Sequence, residues 1–328
     1  MIKFHIICDC REQFESQFDG EKIYNDHISK TSLQRLLDAF SQCGYNAEHF
    51  GGVQTLIDCY ANKMSMPDGI YVNLNDGLSE KHKRGQTPLL LEMLDVKYTG
   101  CDAFQALLAS DKFFTKLALK HIGITTANSV LIQKETDINK LEQLAYPVIV
   151  KPNYEGSSIG IDDTSFCADC ESAARQIKKL LATFSDLIVE EYVSGYEVTN
   201  LIVSNKYTGK ILVNEPLIIS LKDVSNFTHE IFGIKEKYSG IRQYHLAEKV
   251  LPSATVEKIK EVSETIIRHL NMPNFVRIDY RIHDDEVYFL EINTNPAFGE
   301  TSDVGKLCAL RNIPFVDFVK LFIESCLP

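Results

Sequence analysis

The apolar positions along this chain switch between two periods. Over Lys3–Cys8, Asn46–Phe50 and Gly69–Leu74 they form short runs of the kind that fill buried strands. Between them, Ile28, Leu33, Leu36, Leu37 and Phe40 recur at helical spacing across His27–Gln42, and a shorter helix is expected over Thr55–Asn62. Strand and helix in alternation predict a small parallel sheet with helices on its faces. A further helix is expected over Leu89–Leu94, opened by Pro88 near its first turn.

From Asp102 onward the pattern changes. Asp111–Lys120 reads as a helix ended by Gly123, and Ser129–Gln133 and Val148–Lys151 read as strands. A helix is expected over 167–184, with Ala173, Ala174, Ile177, Leu180 and Leu181 on its apolar face, followed by a strand over Leu187–Val193. Two longer strands, Glu197–Ser204 and Lys210–Ile219, join at Tyr207-Thr208-Gly209. The polar stretch 222–242 has neither period and is long enough to be a mobile loop over a site. A helix over Thr255–Leu270 and a final helical region over Ile313–Cys326 complete the reading.

The sharpest pattern lies between those last two helices. NFVRIDYRI and VYFLEIN alternate apolar with polar residues, and Asp284-Asp285 joins them as a hairpin. Alternation puts Arg277 and Asp279 on one face of the first strand, and Glu291 and Asn293 on one face of the second. Two carboxylates and an amide oxygen beside an arginine suit Mg²⁺ held on phosphates. The plainer alternative is a solvated sheet surface with Arg277 and Asp279 as an exposed ion pair. A second element favours phosphate. Lys151, at the end of the strand beginning at Tyr146, can reach phosphates as a point charge. Gly156, Ser157 and Ser158 follow as a turn whose N–H and hydroxyl groups can close over anionic oxygens. Together the two elements point to ATP chemistry.

Composition narrows the partners. The 328 residues are 45% hydrophobic and 24% charged, ordinary for a globular protein, with a net charge of −11. That balance argues against a broad nucleic-acid or anionic-membrane surface. No apolar run is long enough to span a bilayer, and Met1–His5 leads into a strand instead of a signal peptide, so a cytoplasmic protein is expected. Nine scattered cysteines suit reduced thiols. Cys8/Cys10 and Cys167/Cys170 are close pairs, but no second pair or histidine array completes a zinc site in sequence. Gly156–Gly160 matches G-x-S-x-G, yet the next residues are turn-like where a nucleophile elbow needs a helix. G-x-x-x-x-G-K-[ST] and G-x-G-x-x-G are both absent from the sequence.

The ordered set of motifs resembles the ATP-grasp carboxylate–amine ligases, most closely the D-alanine–D-alanine ligase family. Tyr98-Thr99-Gly100-Cys101 with Ser110-Asp111-Lys112 is similar to the family's Y-T-G-S and D-K elements. Val150-Lys151-Pro152 with Glu155–Gly160 is close to its K-P-x-x-E-G-S-S-x-G, and Glu190–Glu197 to its E-x-[FY]-[IV]-x-G-x-E hinge. Lys237-Tyr238 falls where a K-Y pair is expected, and Arg277-Ile278-Asp279 and Glu291–Thr294 complete the set over residues 98 to 295.

The resemblance implies an ATP-grasp fold, α/β and α+β. A parallel-sheet lobe over 1–101 would precede two α+β lobes, 102–186 and 187–328, that enclose the nucleotide. It implies that Lys112 and Lys151 bind the α/β phosphates with Ser158 nearby. Glu190, Glu191 and Val193 would meet the adenine edge, largely through backbone, and Glu197 the ribose. Lys237 would meet the γ-phosphate as the 222–242 loop closes. Asp279, Glu291 and Asn293 would ligate Mg²⁺ or Mn²⁺. Arg277, with Ser157 and Tyr238, would serve the reacting centre, where a carboxylate becomes an acyl phosphate and an amine displaces phosphate. A homodimer is implied as well.

Departures fall on the amino-acid side. The family's first-substrate loop is replaced by Cys8–Gln13 and a polar stretch to Asp26, and its H-G-x-x-G-E-D-G element by Asn75–Gln86. P-G-M-T reads Pro296-Ala297-Phe298-Gly299, with Ser302 the expected contact for the second substrate's carboxylate. His82, Lys83 and Arg84 read as a solvated loop in preference to an acidic-substrate site. D-alanyl-D-alanine, another acid–amine product of the same chemistry, and a non-catalytic nucleotide-binding protein all stay open at this point.

Overall fold

The computed structural model describes residues 2–14, 27–78, 81–222, 224–229 and 241–328. Three sheets carry the site. In the first, β1 (Lys3–Ile7) lies between β2 (Asn46–Gly51) and β3 (Ile70–Asn73), all parallel. Phe4 and Ile6 pack on Leu33, Leu36 and Phe40 of the helix Lys30–Gln42, which Ser29 caps by accepting from the Ser32 N–H at 3.1 Å. Ile7 faces the other way, onto Leu56, Tyr71 and Leu91. Burial on both faces explains why apolar residues fill β1 apart from Lys3 and His5.

The second sheet is antiparallel, in the order β4 (Ser129–Ile132), β7 (Leu187–Glu191), β5 (Val148–Pro152), β6 (Phe166–Cys167). The helix Cys170–Leu181 covers one face through Ala173, Ile177 and Leu180. That helix starts later than its apolar pattern suggests, because Asp169 caps it and Cys167, in β6, instead pairs with Val148 of β5.

The third sheet runs β11 (Arg242–Leu246), β9 (Ile211–Leu221), β8 (Gly195–Ser204), β12 (Asn274–His283), β13 (Glu286–Asn293), with β10 (Asn226–Phe227) paired to β8. The expected β12–β13 hairpin is present. Asp284 and Asp285 turn it with φ of 47° and 63°, the left-handed pair that two-residue hairpins favour. Phe275 on β12 joins Phe298, Phe318 and Phe322 in one core with Phe4 and Phe40, so the first sheet docks on the third.

Other features also depart from the sequence pattern. The helix containing Pro88 spans Lys83–Met93, leaving the proline inside, where its missing N–H removes one intrahelical bond. Apolar periodicity hides this start because Lys83 and Arg84 turn charged side chains inward. Helices Ala103–Ser110 and Asp303–Arg311 were not anticipated.

Candidate active site

The hairpin register sets the first part of the site. Asp279 lies directly opposite Glu291, and Arg277 opposite Asn293, so all four side chains share one face. Arg277 grips Asp279 with Nε at 3.0 Å and Nη2 at 2.8 Å, while its Nη1 donates to Asp303 at 3.0 Å. Thr199, the β8 neighbour of Asp279, donates to the same carboxylate at 2.7 Å. The Arg277 and Asp279 side chains are 20% and 15% exposed, which removes the solvated-surface alternative.

A second group of charges comes from the second sheet and the helix Lys112–His121. Lys116, one helical turn beyond Lys112, stands 3.1 Å from Glu190, and Lys151 from β5 pairs with the same carboxylate. All three side chains are buried. Lys112 donates to the Glu155 carbonyl and stands 3.4 Å from Glu291, tying the loop after β5 to the hairpin. A cavity of about 120 Å³ opens between these groups, lined among others by Lys112, Lys151, Ser158, Glu190, Val193 and Glu197. Glu191 also borders it, but its carboxylate turns outward to the Ala145 N–H at 2.9 Å and to Asn128 at 3.0 Å. Glu197 is held by Arg281 at 2.9 Å.

Burial and charge oppose each other here. Burial disfavours the Glu190 carboxylate, yet Lys116 and Lys151 outweigh it and hold the group down at about 2. Glu291 is also lowered, against burial, by Lys112, Lys151 and Arg277. Asp279 is raised by burial despite Arg277, and Glu291 adds to the rise. Burial pulls Lys112 and Lys116 down, whereas Lys151 is raised in spite of it, by Glu190 and Glu291. Two half-buried carboxylates facing each other across a hairpin, with the Asn293 amide beside them, are an oxygen set that fits a hard divalent cation.

A larger cavity of about 420 Å³ adjoins, reached by Arg277, Asn293 and Ser157, and walled by Arg84, Tyr244 and Ser302. Ser157 and Ser158 both take positive φ, 55° and 59°, in a sharply folded turn. Asn293 Oδ1 accepts from the Asn295 N–H at 3.0 Å. Ser302 Oγ donates to the Gly299 carbonyl at 2.7 Å and caps the helix Asp303–Arg311 through the Val304 N–H at 3.3 Å. The reading of 82–84 as solvated is corrected for two residues. Lys83 is buried 2.8 Å from Glu155, and Arg84 pairs with Asp76 on the cavity wall. Lys237 and Tyr238 lie outside the described residues, as does most of the 222–242 loop.

Sequence reasoning missed Lys116, Thr199, Asp76, Tyr244 and Asp303. Lys116 carried a readable signal, since it falls four residues after Lys112 on the same helix face. Asp303 did not. It comes from a helix start far from Arg277 in sequence and accepts the Tyr244 hydroxyl at 2.5 Å.

The family model described as D-ala D-ala ligase C-terminus matches residues 117–324. A D-alanine–D-alanine ligase of Desulforamulus reducens is 34% identical over 247 residues, covering 73% of this chain and 75% of its own length. One from Francisella philomiragia is 27% identical, covering 91% and 93%. Among solved structures, D-alanine–D-alanine ligase from Bacillus anthracis complexed with ATP superposes with a TM-score of 0.73 at 20% identity, covering 100% of this chain and 98% of its own. VanG D-Ala:D-Ser ligase from Enterococcus faecalis gives 0.75 at 17% identity, covering 99% of each.

Fold, charge arrangement and relatives together define an ATP-dependent ligase of the ATP-grasp type. The chain belongs to the D-alanine–D-alanine ligase family. No helix among the described residues is long and apolar enough to cross a membrane.

Proposed function

We propose that this enzyme joins the carboxylate of one small amino acid to the amine of another through an acyl phosphate, making D-alanyl-D-alanine or a close dipeptide and releasing ADP and phosphate. The observation that carries this reading is the hairpin face: Asp279 opposite Glu291 and Arg277 opposite Asn293, set where the small cavity meets the large one.

On this reading Lys112, Lys151 and Ser158 hold the α/β phosphates in the smaller cavity. Glu190, Glu191 and Val193 border the adenine through the strand that ends there, and Glu197 takes the ribose. Asp279, Glu291 and Asn293 would hold Mg²⁺ or Mn²⁺, which when bound neutralises charge on the phosphates. A carboxylate oxygen attacks the γ-phosphorus and ADP leaves. The incoming amine then adds to the acyl carbon, phosphate departs with the C–O electron pair, and the amine loses a proton. Arg277 faces the oxyanion formed at the acyl carbon. Ser157 borders the reacting centre, Ser302 receives the second substrate's carboxylate, and Lys237 and Tyr238 belong to the closing loop. The 1–101, 102–186 and 187–328 units act as lobes, and the enzyme works in the cytoplasm as a homodimer.

A second acid–amine pair on the same chemistry is favoured by one observation. Arg84 and Asp76 stand on the amino-acid cavity wall in the segment that departs from the family pattern. A coupled ADP-release assay over a panel of D- and L-amino acids, with mass spectrometry of products, tests both. ADP release dependent on D-alanine alone supports the first pair. Release only with another acid or amine selects the second, and release with no pair overturns the proposal.

A further inference from the structure

Cys8 and Cys10 stand at the C-terminal end of β1, and His49 reaches them from β2. The two thiols and a ring nitrogen of His49 lie within 4.8 Å of one another. In sequence the cysteine pair lacked a third ligand; the parallel register that sets Ile6 beside His49 supplies it. Both cysteines are buried, at 0% and 2% exposure, whereas His49 is exposed, so soft donors sit inside and the imidazole at the mouth. The ring is already docked, with Nε2 2.9 Å from the Cys8 carbonyl oxygen.

We propose that Cys8, Cys10 and His49 bind one soft d¹⁰ cation, Zn²⁺ or Cu⁺, through two thiolates and one imidazole, with a further position open. Neighbouring ligand atoms around such an ion stand roughly 3.5–3.8 Å apart, given metal–sulfur bonds of about 2.3 Å and metal–nitrogen bonds of about 2.0 Å. Reaching that spacing from within 4.8 Å needs only side-chain adjustment. The thiol protons pass to solvent as the metal binds.

The location gives the ion a consequence. Asp9, between the two cysteines, accepts from Asn75 at 2.7 Å and from the Val53 N–H at 3.1 Å, while Arg11 lines the larger cavity. The bound ion therefore pins the start of the segment that walls the amino-acid side. None of this depends on which substrates the ligase uses.

Cd²⁺ titration of the full-length protein, kept reduced by a non-thiol reductant, tests the site through the thiolate-to-metal charge-transfer band. One equivalent should saturate the band, and Zn²⁺ should displace it. Cys10→Ser should abolish the band. His49→Ala should keep it but weaken binding about ten-fold or more. Cys170→Ser, at an exposed thiol, should change nothing. Absence of the band in the folded wild-type protein overturns the proposal, as does wild-type binding by both Cys10→Ser and His49→Ala. Should Cys10→Ser fail to fold, His49→Ala decides alone, because its side chain lies at the surface.

Discussion

The two ends of this cleft are built on different materials. At the end we assign to the nucleotide, most of the described charges sit on, or within a residue or two of, a regular element. Lys112 and Lys116 share a helix face, Lys151 and Glu190 end adjacent strands, and Asp279 and Glu291 face each other across a hairpin. At the end we assign to the amino acids, Asp76, Arg84, Asn295, Ser302 and Asp303 come from loops and helix starts. Periodic elements fix side-chain direction rigidly, whereas loops change with little cost to the scaffold. A chain so divided can keep the activation of a carboxylate while changing what is joined.

The largest loss is expected from Glu291→Ala. Removing one of the paired carboxylates should cut ADP release on the order of 10²–10³-fold, equivalent to about 3–4 kcal/mol in the barrier. Asn293→Ala should behave similarly, and both losses should be read against Mg²⁺ concentration. Activity within a few-fold of wild type in both variants would remove the metal assignment.

Lys116→Met strikes the same end through stability. Glu190 is buried and would keep only Lys151, and breaking a buried pair from one side costs about 3–5 kcal/mol. Urea unfolding at neutral pH measures this. The double variant Lys116→Met/Glu190→Gln should recover part of the loss, since a neutral pair leaves no uncompensated charge. An unchanged midpoint in the single variant contradicts the burial argument.

The same carboxylate makes a pH prediction. Its folded-state value is depressed to about 2 from an ordinary 4.5, so it contributes stability above 4.5. That contribution is lost as pH falls from about 4.5 through about 2. Urea midpoints measured down that window should drop more steeply for wild type than for Glu190→Gln. Parallel curves would show that Glu190 is not the group responsible.

How much of this was legible follows the same division. The Asp279–Glu291 face was readable because strand alternation and a two-residue turn fix which side chains meet. Lys151 was readable because it ends a strand with a distinctive apolar run. Arg84 was misread, since a charged residue in a polar segment looks solvated until its partner Asp76 is placed beside it. Asp303 was invisible for a related reason: its contact with Arg277 depends on how the helix Asp303–Arg311 docks, which no local period encodes. His49 shows the same limit, joining Cys8 and Cys10 only through sheet register.

Arg84→Ala probes the amino-acid end directly. It should raise KM for the amino-acid substrates about ten-fold while leaving KM for ATP within about two-fold, because among the described residues it hydrogen-bonds Asp76 and the Asn295 carbonyl, neither of which lines the cavity proposed for the nucleotide. Equal rises in both constants would show that the two ends are not separable.

The smallest effect is the most discriminating. Ser302 borders the larger cavity, proposed above for the amino acids, and also caps the helix Asp303–Arg311, so loss of its hydroxyl carries two meanings. Ser302→Ala should lower stability by about 1 kcal/mol through the lost cap. Ser302→Asn should restore that stability, since asparagine caps as well as serine, but it places a bulkier amide where the hydroxyl stood. If Ser302 contacts the second substrate's carboxylate, KM for that substrate stays raised in both variants although only one is destabilised. If the residue is a cap alone, KM follows stability and returns to wild type with asparagine. The capping role rests on the structure and the substrate role on family pattern, and this pair of variants separates them at a single position.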